Sequence, residues 1–365
     1  MGKTSNRLET SSEANWLPDS WQTKTIRQMP NYPDAQAVES SVRALSKLPP
    51  LVTSWEVEKL RSDLADIAEG DGFLLQGGDC AEHFSECDSA VITGKLKILL
   101  QMSLILVHGS RKKVTRVGRI AGQYTKPRSS DTETRDDLTL PSYRGDLVNS
   151  AAFVEDSRRP DPDLLIRGYH HSAMTLNFIR SLIDGGFADL HHPEYWQLDF
   201  VKHADKAAQY QKMVSEIGES IRFLENISGE KIDQLNRVEF FTSHEALHLY
   251  YEQAQTRQVP RRRGWYNLAT HFPWIGNRTN QIDGAHVEYC RGIENPVGVK
   301  VGPDMEPDRL LELIGTLNSS NEPGRLTLIH RFGMDQVEEH LPKLIEAVEG
   351  AKKSVVWCCD PMHGN

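Results

Sequence analysis

Val297-Gly298-Val299-Lys300-Val301, Leu326-Thr327-Leu328-Ile329-His330-Arg331 and Val355-Val356-Trp357-Cys358-Cys359-Asp360 are three short apolar runs that begin at residues 297, 326 and 355, a constant step of 29 residues. Their β-branched and aromatic content suits buried parallel strands. One step accommodates a strand, a helix and two loops, the repeat of a β/α barrel. The segments between the runs read as helices. Leu310, Leu311, Ile314 and Leu317 share one side over 309–317, and Val337, Leu341, Leu344, Ile345 and Val348 recur at helical spacing up to Gly350, a stop before the next run. Pro342 predicts the first turn of that helix, with 336–340 as a separate lead-in.

Working outward, Phe73-Leu74-Leu75, 114–117 and 238–241 supply three earlier runs of the same kind, which makes six strands in all. The expectation is an α/β fold of the (β/α)8, TIM-barrel type, occupying 71–365. About 120 residues separate the second and third runs, too long for one connection. Helical patterns at 172–183 and 204–224 and an irregular stretch at 156–162 make this a helical insertion at about 150–235. Residues 1–70 form an N-terminal extension, helical at 36–48 and 54–68.

The bulk composition narrows the class of function. A hydrophobic share of 38% with 25% charged residues describes a soluble globular chain with a sizeable core. A net charge of −9 disfavours nucleic acid and membrane surfaces as partners, since both select a basic excess. No apolar run approaches the roughly 18 residues of a membrane span. The polar, acid-containing first 25 residues resemble neither a signal peptide nor a transit peptide. Gly2-Lys3-Thr4 and the opening Met1-Gly2 are chance matches to a phosphate loop and to a myristoylation signal. Five cysteines without zinc-type pairing point to reduced thiols and a cytoplasmic location.

In a β/α barrel the chemistry sits at the carboxyl ends of the strands. The residues following the six runs are Gly77-Gly78-Asp79-Cys80-Ala81-Glu82; Arg119 with Lys126-Pro127-Arg128-Ser129; Ser243-His244-Glu245; Lys300; His330-Arg331; and Asp360-Pro361-Met362-His363. Arg278 adds a cation before the fourth. Arg119, Lys126, Arg278, Lys300 and Arg331 would repel one another unless they bound a polyanion, and arginine cannot shed its proton to escape. Each alone reads equally well as a surface or ion-paired residue; their shared placement favours an anion site. Cys80 and His363 offer a soft and a borderline donor, yet two ligands are too few for a well-held metal, and such residues are more often packing residues. The residues by themselves therefore lead to a barrel with a polyanion site and an incomplete metal site, without a named reaction.

Seven ordered strings resemble the class II, plant-like 3-deoxy-D-arabino-heptulosonate-7-phosphate (DAHP) synthases. They are Gly77-Gly78-Asp79-Cys80-Ala81-Glu82, Arg119 through Tyr124 with Lys126 through Ser129, Leu140 through Asp146, Ser243 through Leu247, Asp283 through Glu288, Gly298 through Pro303, and Asp360 through Asn365. The resemblance runs from about Trp16 to the last residue. It implies condensation of phosphoenolpyruvate with erythrose 4-phosphate and water, giving DAHP and phosphate at the head of the shikimate route to aromatic amino acids. It implies Cys80 and His363 as ligands of a divalent metal, Mn2+ or Co2+, that polarises the aldehyde as a Lewis acid. Arg119, Arg278, Lys300 and Arg331 correspond to the phosphoenolpyruvate contacts, with Asn277 a substrate-binding position beside them; Lys126, a catalytic as well as a binding residue, bridges toward the second substrate, and Arg128 and Ser129 correspond to the erythrose 4-phosphate strip. Glu245 is expected either to activate water or to partner a cation. A homo-oligomer and an aromatic amino-acid effector are further implications.

The sequence also departs from the family pattern. Asn277 stands where the family usually carries an acid beside Arg278, and Asn280 where it often has Arg. The resemblance also implies two βα units beyond Asn365, with a Glu and an Asp to complete the metal site, so the expectation is a C-terminally truncated barrel whose own activity is in doubt. Two alternatives stand beside this reading: a non-catalytic phosphate- or partner-binding paralogue, and a different phosphoenolpyruvate-condensing barrel acting on arabinose 5-phosphate or a mannosamine.

Overall fold

The computed structural model describes residues 16–187, 206–228 and 239–364, so the readings made on 1–15 and on Val238 lie outside it. In chain order the strands are β1 (Gly72–Gly78), β2 (Lys113–Arg119), the hairpin β3 (Thr132–Arg135) and β4 (Leu138–Pro141), β5 (Phe241–Glu245), the short pair β6 (Thr256–Arg257) and β7 (Tyr266–Asn267), β8 (Phe272–Ile275), β9 (Val297–Val301), β10 (Leu326–His330) and β11 (Val356–Cys359). The helices are α1 (Ala35–Leu45), α2 (Ser54–Ala68), α3 (Ser89–Ser110), α4 (Glu155–Arg158), α5 (Asp163–Asp184), α6 (Ala207–Ser228), α7 (Leu249–Gln255), α8 (Ala285–Arg291), α9 (Pro307–Leu317) and α10 (Val337–Gly350). The main sheet has seven strands in the order β1-β2-β5-β8-β9-β10-β11. Every neighbouring pair is parallel, and the helices flank the sheet. This is an α/β fold of the TIM-barrel type.

The count of six strands is corrected to seven. The missed strand is β8, four residues that include Pro273. A proline cannot donate to a ladder, and its presence argues against a central strand; here Pro273 pairs opposite His244 in a fully buried strand. The expectation of two further βα units rests on the family resemblance, and the seven-stranded sheet does not test it. A second correction concerns β5. Ser243-His244-Glu245 is not a loop following a strand but the strand itself, buried at every position.

Two helices also differ from expectation. α10 is continuous from Val337 to Gly350 with Pro342 inside it, not a lead-in followed by a main helix. Pro342 falls early enough that the missing N–H removes one bond to the first turn. α3 is long and apolar enough to cross a membrane by length and composition, against the expectation that no run approaches that size. Lys95 and Lys97 break the run in sequence without lowering the average below that of a span. In the fold Ile92, Leu96, Leu99, Leu100 and Leu104 are buried, and α3 packs on β1, β2 and α5.

α2 explains how the extension serves the barrel. Thr53 and Glu56 cap it reciprocally, with the Glu56 carboxylate 2.8 Å from the Thr53 N–H. Its Leu60 and Leu64 are fully buried with Leu74, Val117, Phe241, Phe272 and Val356, residues of five different strands. Burial of each leucine contributes about 1.5–3 kcal/mol. The larger core lies on the other side, where β9 and β10 meet α8, α9 and α10 through Val299, Leu310, Leu313, Leu328 and Leu344.

Candidate active site

Backbone geometry at the outgoing ends of β1 and β2 fixes the first two loops of the site. Gly78 adopts φ +141°, and a Cβ there would stand 2.4 Å from the Arg119 carbonyl oxygen, so only glycine lets the strand ends approach this closely. Glu82 then binds the loop after β2. Its buried carboxylate accepts the N–H groups of Ala121, Gly122 and Gln123 at 3.0, 3.0 and 2.8 Å. Ala121 is held at φ +63° by this arrangement. Burial pushes the Glu82 carboxyl up, against those three backbone donors. The loop in turn holds β5, because Gln123 Oε1 accepts the Glu245 N–H at 2.7 Å.

On this frame Cys80, His363, Lys300 and Arg119 fall into one connected group. The Cys80 thiol lies 3.4 Å from His363 Nε2, and Asp360 Oδ2 lies 2.8 Å from His363 Nδ1. Asp360 also pairs with Lys300. Lys300 and Arg119 sit 5.2 and 5.0 Å from the centre of the Trp274 ring, so one indole carries two cations. Arg119 donates to the Cys80 carbonyl at 3.3 Å. Arg278 donates to Ser129 Oγ at 3.0 Å, and the Arg331 N–H donates to the Val301 carbonyl at 2.8 Å, one residue beyond Lys300.

Charge in this group is incompletely satisfied. Arg119 Nε, Arg331 Nε and Glu245 Oε1 are buried without a hydrogen-bond partner among the described residues. Burial pushes the Glu245 carboxyl up to about 7, although Arg119, Lys300 and Arg278 all favour its ionised form. Burial lowers the Lys300 ammonium against the pull of Asp360. Burial would raise Asp360, but Lys300, the Met362 N–H and His363 outweigh it and hold the carboxyl down to about 2. Asp360 is therefore a fixed negative charge between Lys300 and His363, and Glu245 is a carboxyl that changes state near neutrality.

Three predicted residues stand apart. Arg128 pairs with Glu133 at 2.5 Å in the β3–β4 hairpin. Asn277 lies against Asp304, with Nδ2 3.4 Å from the carboxylate. Lys126 is exposed, tied down by its backbone N–H to the Arg144 carbonyl at 2.8 Å, and its ammonium makes no ion pair among the described residues. Sequence reading passed over Trp274, whose strand it did not find, and gave Asp360 and Glu82 no role. The Asp360-x-x-His363 spacing was the available signal for Asp360.

The donors present suit a divalent metal in part. A thiol and an imidazole nitrogen converge, and a carboxylate on Nδ1 leaves the Nε2 lone pair facing the sulfur, the arrangement that orients metal-binding histidines. No third His, Cys, Asp or Glu completes a metal-holding group among the described residues.

Comparison with known proteins places the whole described chain in one context. The model of the class-II DAHP synthetase family matches residues 16–365. A phospho-2-dehydro-3-deoxyheptonate aldolase from Neurospora crassa is 48% identical over 98% of this chain and 77% of its own length. A protein of the same name from Streptomyces coelicolor is 45% identical over 95% of the chain and 77% of its own length. One from Mycolicibacterium smegmatis is 41% identical over 97% of the chain and 76% of its own length.

Proposed function

The chain belongs to the class-II DAHP synthetase family, and from that premise we infer that the cleft described above joins phosphoenolpyruvate to erythrose 4-phosphate. It is a DAHP synthase, a transferase that forms one carbon–carbon bond, adds one water and releases phosphate. The observation that carries the substrate assignment is the pair of cations on Trp274, Arg119 and Lys300, beside guanidinium N–H groups that lack partners. A buried N–H group left without a partner is costly, and an anion with carboxylate and phosphate oxygens satisfies it.

In this reading Arg119, Arg278, Lys300 and Arg331 hold phosphoenolpyruvate and fix its reacting carbon toward the aldehyde, a positioning and electrostatic task. Asn277 borders that site. Lys126, Arg128 and Ser129 receive erythrose 4-phosphate, Arg128 by exchanging its Glu133 partner for the sugar phosphate. Glu245 holds or releases the proton of the water that adds to carbon 2, and a carboxyl titrating near 7 suits either direction. Cys80 and His363 would hold a divalent metal, Mn2+ or Co2+, which when bound supplies Lewis-acid polarisation of the aldehyde oxygen. The chain reads as an N-terminal extension over 1–70 and a barrel over 71–365 with an insertion at about 150–235. A cytoplasmic location agrees with five free cysteines among the described residues. Homo-oligomerisation and an aromatic amino-acid effector belong to the same reading.

The test is aldose selectivity. Phosphate release from phosphoenolpyruvate is followed with erythrose 4-phosphate, arabinose 5-phosphate or N-acetylmannosamine as partner. Release with erythrose 4-phosphate alone is expected. Release with either alternative would assign the other condensing reaction, and phosphoenolpyruvate binding with no release would assign the non-catalytic reading, for which Asn277 in place of an acid is the supporting feature.

A further inference from the structure

The segment ahead of α1 crosses the outgoing ends of three strands that neighbour one another in the sheet. Thr25 bridges Gly284 in the segment leaving β8, and the Ala285 N–H donates to the Thr25 carbonyl at 3.0 Å. In the segment leaving β5, the Leu249 N–H meets Met29 Sδ at 3.3 Å and the Tyr32 hydroxyl lies 2.8 Å from His248 Nε2. Between these anchors Gln28 reaches the segment leaving β2. Its Nε2 donates to the Arg128 carbonyl at 3.0 Å, and the Arg128 N–H donates back to Gln28 Oε1 at 2.8 Å. The Gln28 carbonyl accepts from Arg144 at 3.1 Å.

A side-chain amide that satisfies both backbone groups of one residue acts as a strand partner would, fixing the position and rotation of that peptide. The peptide so fixed belongs to Arg128, flanked by Lys126 and by Ser129, whose hydroxyl accepts from Arg278. Gln28 pays for this with a left-handed backbone, φ +63°, which side chains other than glycine and asparagine rarely adopt. We propose that Gln28 is a positioning residue for the sugar-phosphate end of the site, setting residues 126–129 at the height from which they meet erythrose 4-phosphate while itself bonding to none of the phosphoenolpyruvate cations. The proposal rests on the assignment of Lys126, Arg128 and Ser129 to that substrate.

The left-handed φ supplies a clean variant. Gln28→Gly removes the amide and relaxes the backbone, so lost affinity cannot be ascribed to strain. Calorimetric binding of erythrose 4-phosphate and, separately, of phosphoenolpyruvate is measured on the full chain, together with hydrogen exchange of the peptide spanning 126–131. Gln28→Gly should weaken erythrose 4-phosphate by a factor of about ten, the size of one or two ordinary hydrogen bonds. Phosphoenolpyruvate affinity should stay within a factor of about two, and exchange at Arg128 should speed up. Gln28→Glu, which keeps the acceptor for the Arg128 N–H, should recover part of both effects. Unchanged exchange in Gln28→Gly overturns the proposal, as does faster exchange with unchanged sugar-phosphate affinity when Lys126→Ala abolishes that affinity. Sugar-phosphate binding unaffected in both Gln28→Gly and Lys126→Ala overturns the site assignment and the proposal with it.

Discussion

The Cys80 thiol and the His363 imidazole lie 3.4 Å apart across 283 residues of chain, brought together by the ends of β1 and β11. Asp360 holds the far nitrogen of that imidazole at 2.8 Å, so the tautomer that presents Nε2 to the sulfur is the stable one. The same carboxylate pairs with Lys300, which links the Cys80–His363 pair to the cations around Trp274 through one residue.

Loss of the Cys80 sulfur should therefore be felt in metal binding before it is felt in folding. Cys80→Ala is expected to lower Co2+ affinity at least about tenfold and to remove the thiolate-to-cobalt absorption of the bound ion. Asp360→Asn should retain the absorption and lower affinity by about 10–100-fold, as changes behind a ligand do. Unchanged cobalt affinity and spectrum in Cys80→Ala would remove Cys80 from the site.

Lys300→Ala and Arg331→Ala should each weaken phosphoenolpyruvate binding by about 2–5 kcal/mol, the usual effect of truncating one partner of a buried charged contact. Exposed cations elsewhere, such as Arg43 on α1, should give changes near zero by the same calorimetry. Affinity preserved in both variants would place the substrate elsewhere.

Glu245 predicts a signature in stability against pH. Its carboxyl is raised from 4.5 to about 7 in the folded protein, so between those values the folded state holds a proton that the unfolded state has lost. The contribution is fully present below about 4.5 and is lost as pH rises through about 7, up to about 3 kcal/mol in all. Glu245→Gln should flatten the slope of unfolding free energy over that window. A slope identical in the wild type and the variant would show that Glu245 does not titrate there.

Glu82→Ala should destabilise the fold by at least about 3 kcal/mol in denaturant unfolding, because it strands three backbone N–H groups whose loss costs about 1–3 kcal/mol each. Glu82→Gln, which keeps an acceptor oxygen, should cost less. A loss below about 1 kcal/mol for the alanine variant would mean that the loop finds other acceptors.

Where pattern and burial coincide, the fold was legible from the chain. β9 and α2 fall on the residues expected, because an unbroken β-branched run and a capped amphipathic stretch have few other solutions. β8 was hidden because Pro273 signals a break when read locally, whereas the ladder on either side tolerates one missing donor. β5 was misplaced because polar side chains buried within a strand look like loop. The same reason hid Trp274, the platform for two cations, inside a strand that could not be seen. Arg128 shows the opposite limit. Its place in a motif was plain, but its partner Glu133 lies on a hairpin strand for which the sequence offers no alternating apolar pattern.

Phosphate release from phosphoenolpyruvate, followed on the chain with Mn2+ and with erythrose 4-phosphate present or withheld, tests the central claim most directly. The account predicts release only when both metal and aldose are present, in step with consumption of the aldose, and none in Cys80→Ala. Release that proceeds without erythrose 4-phosphate, or that survives intact in Cys80→Ala, would contradict it.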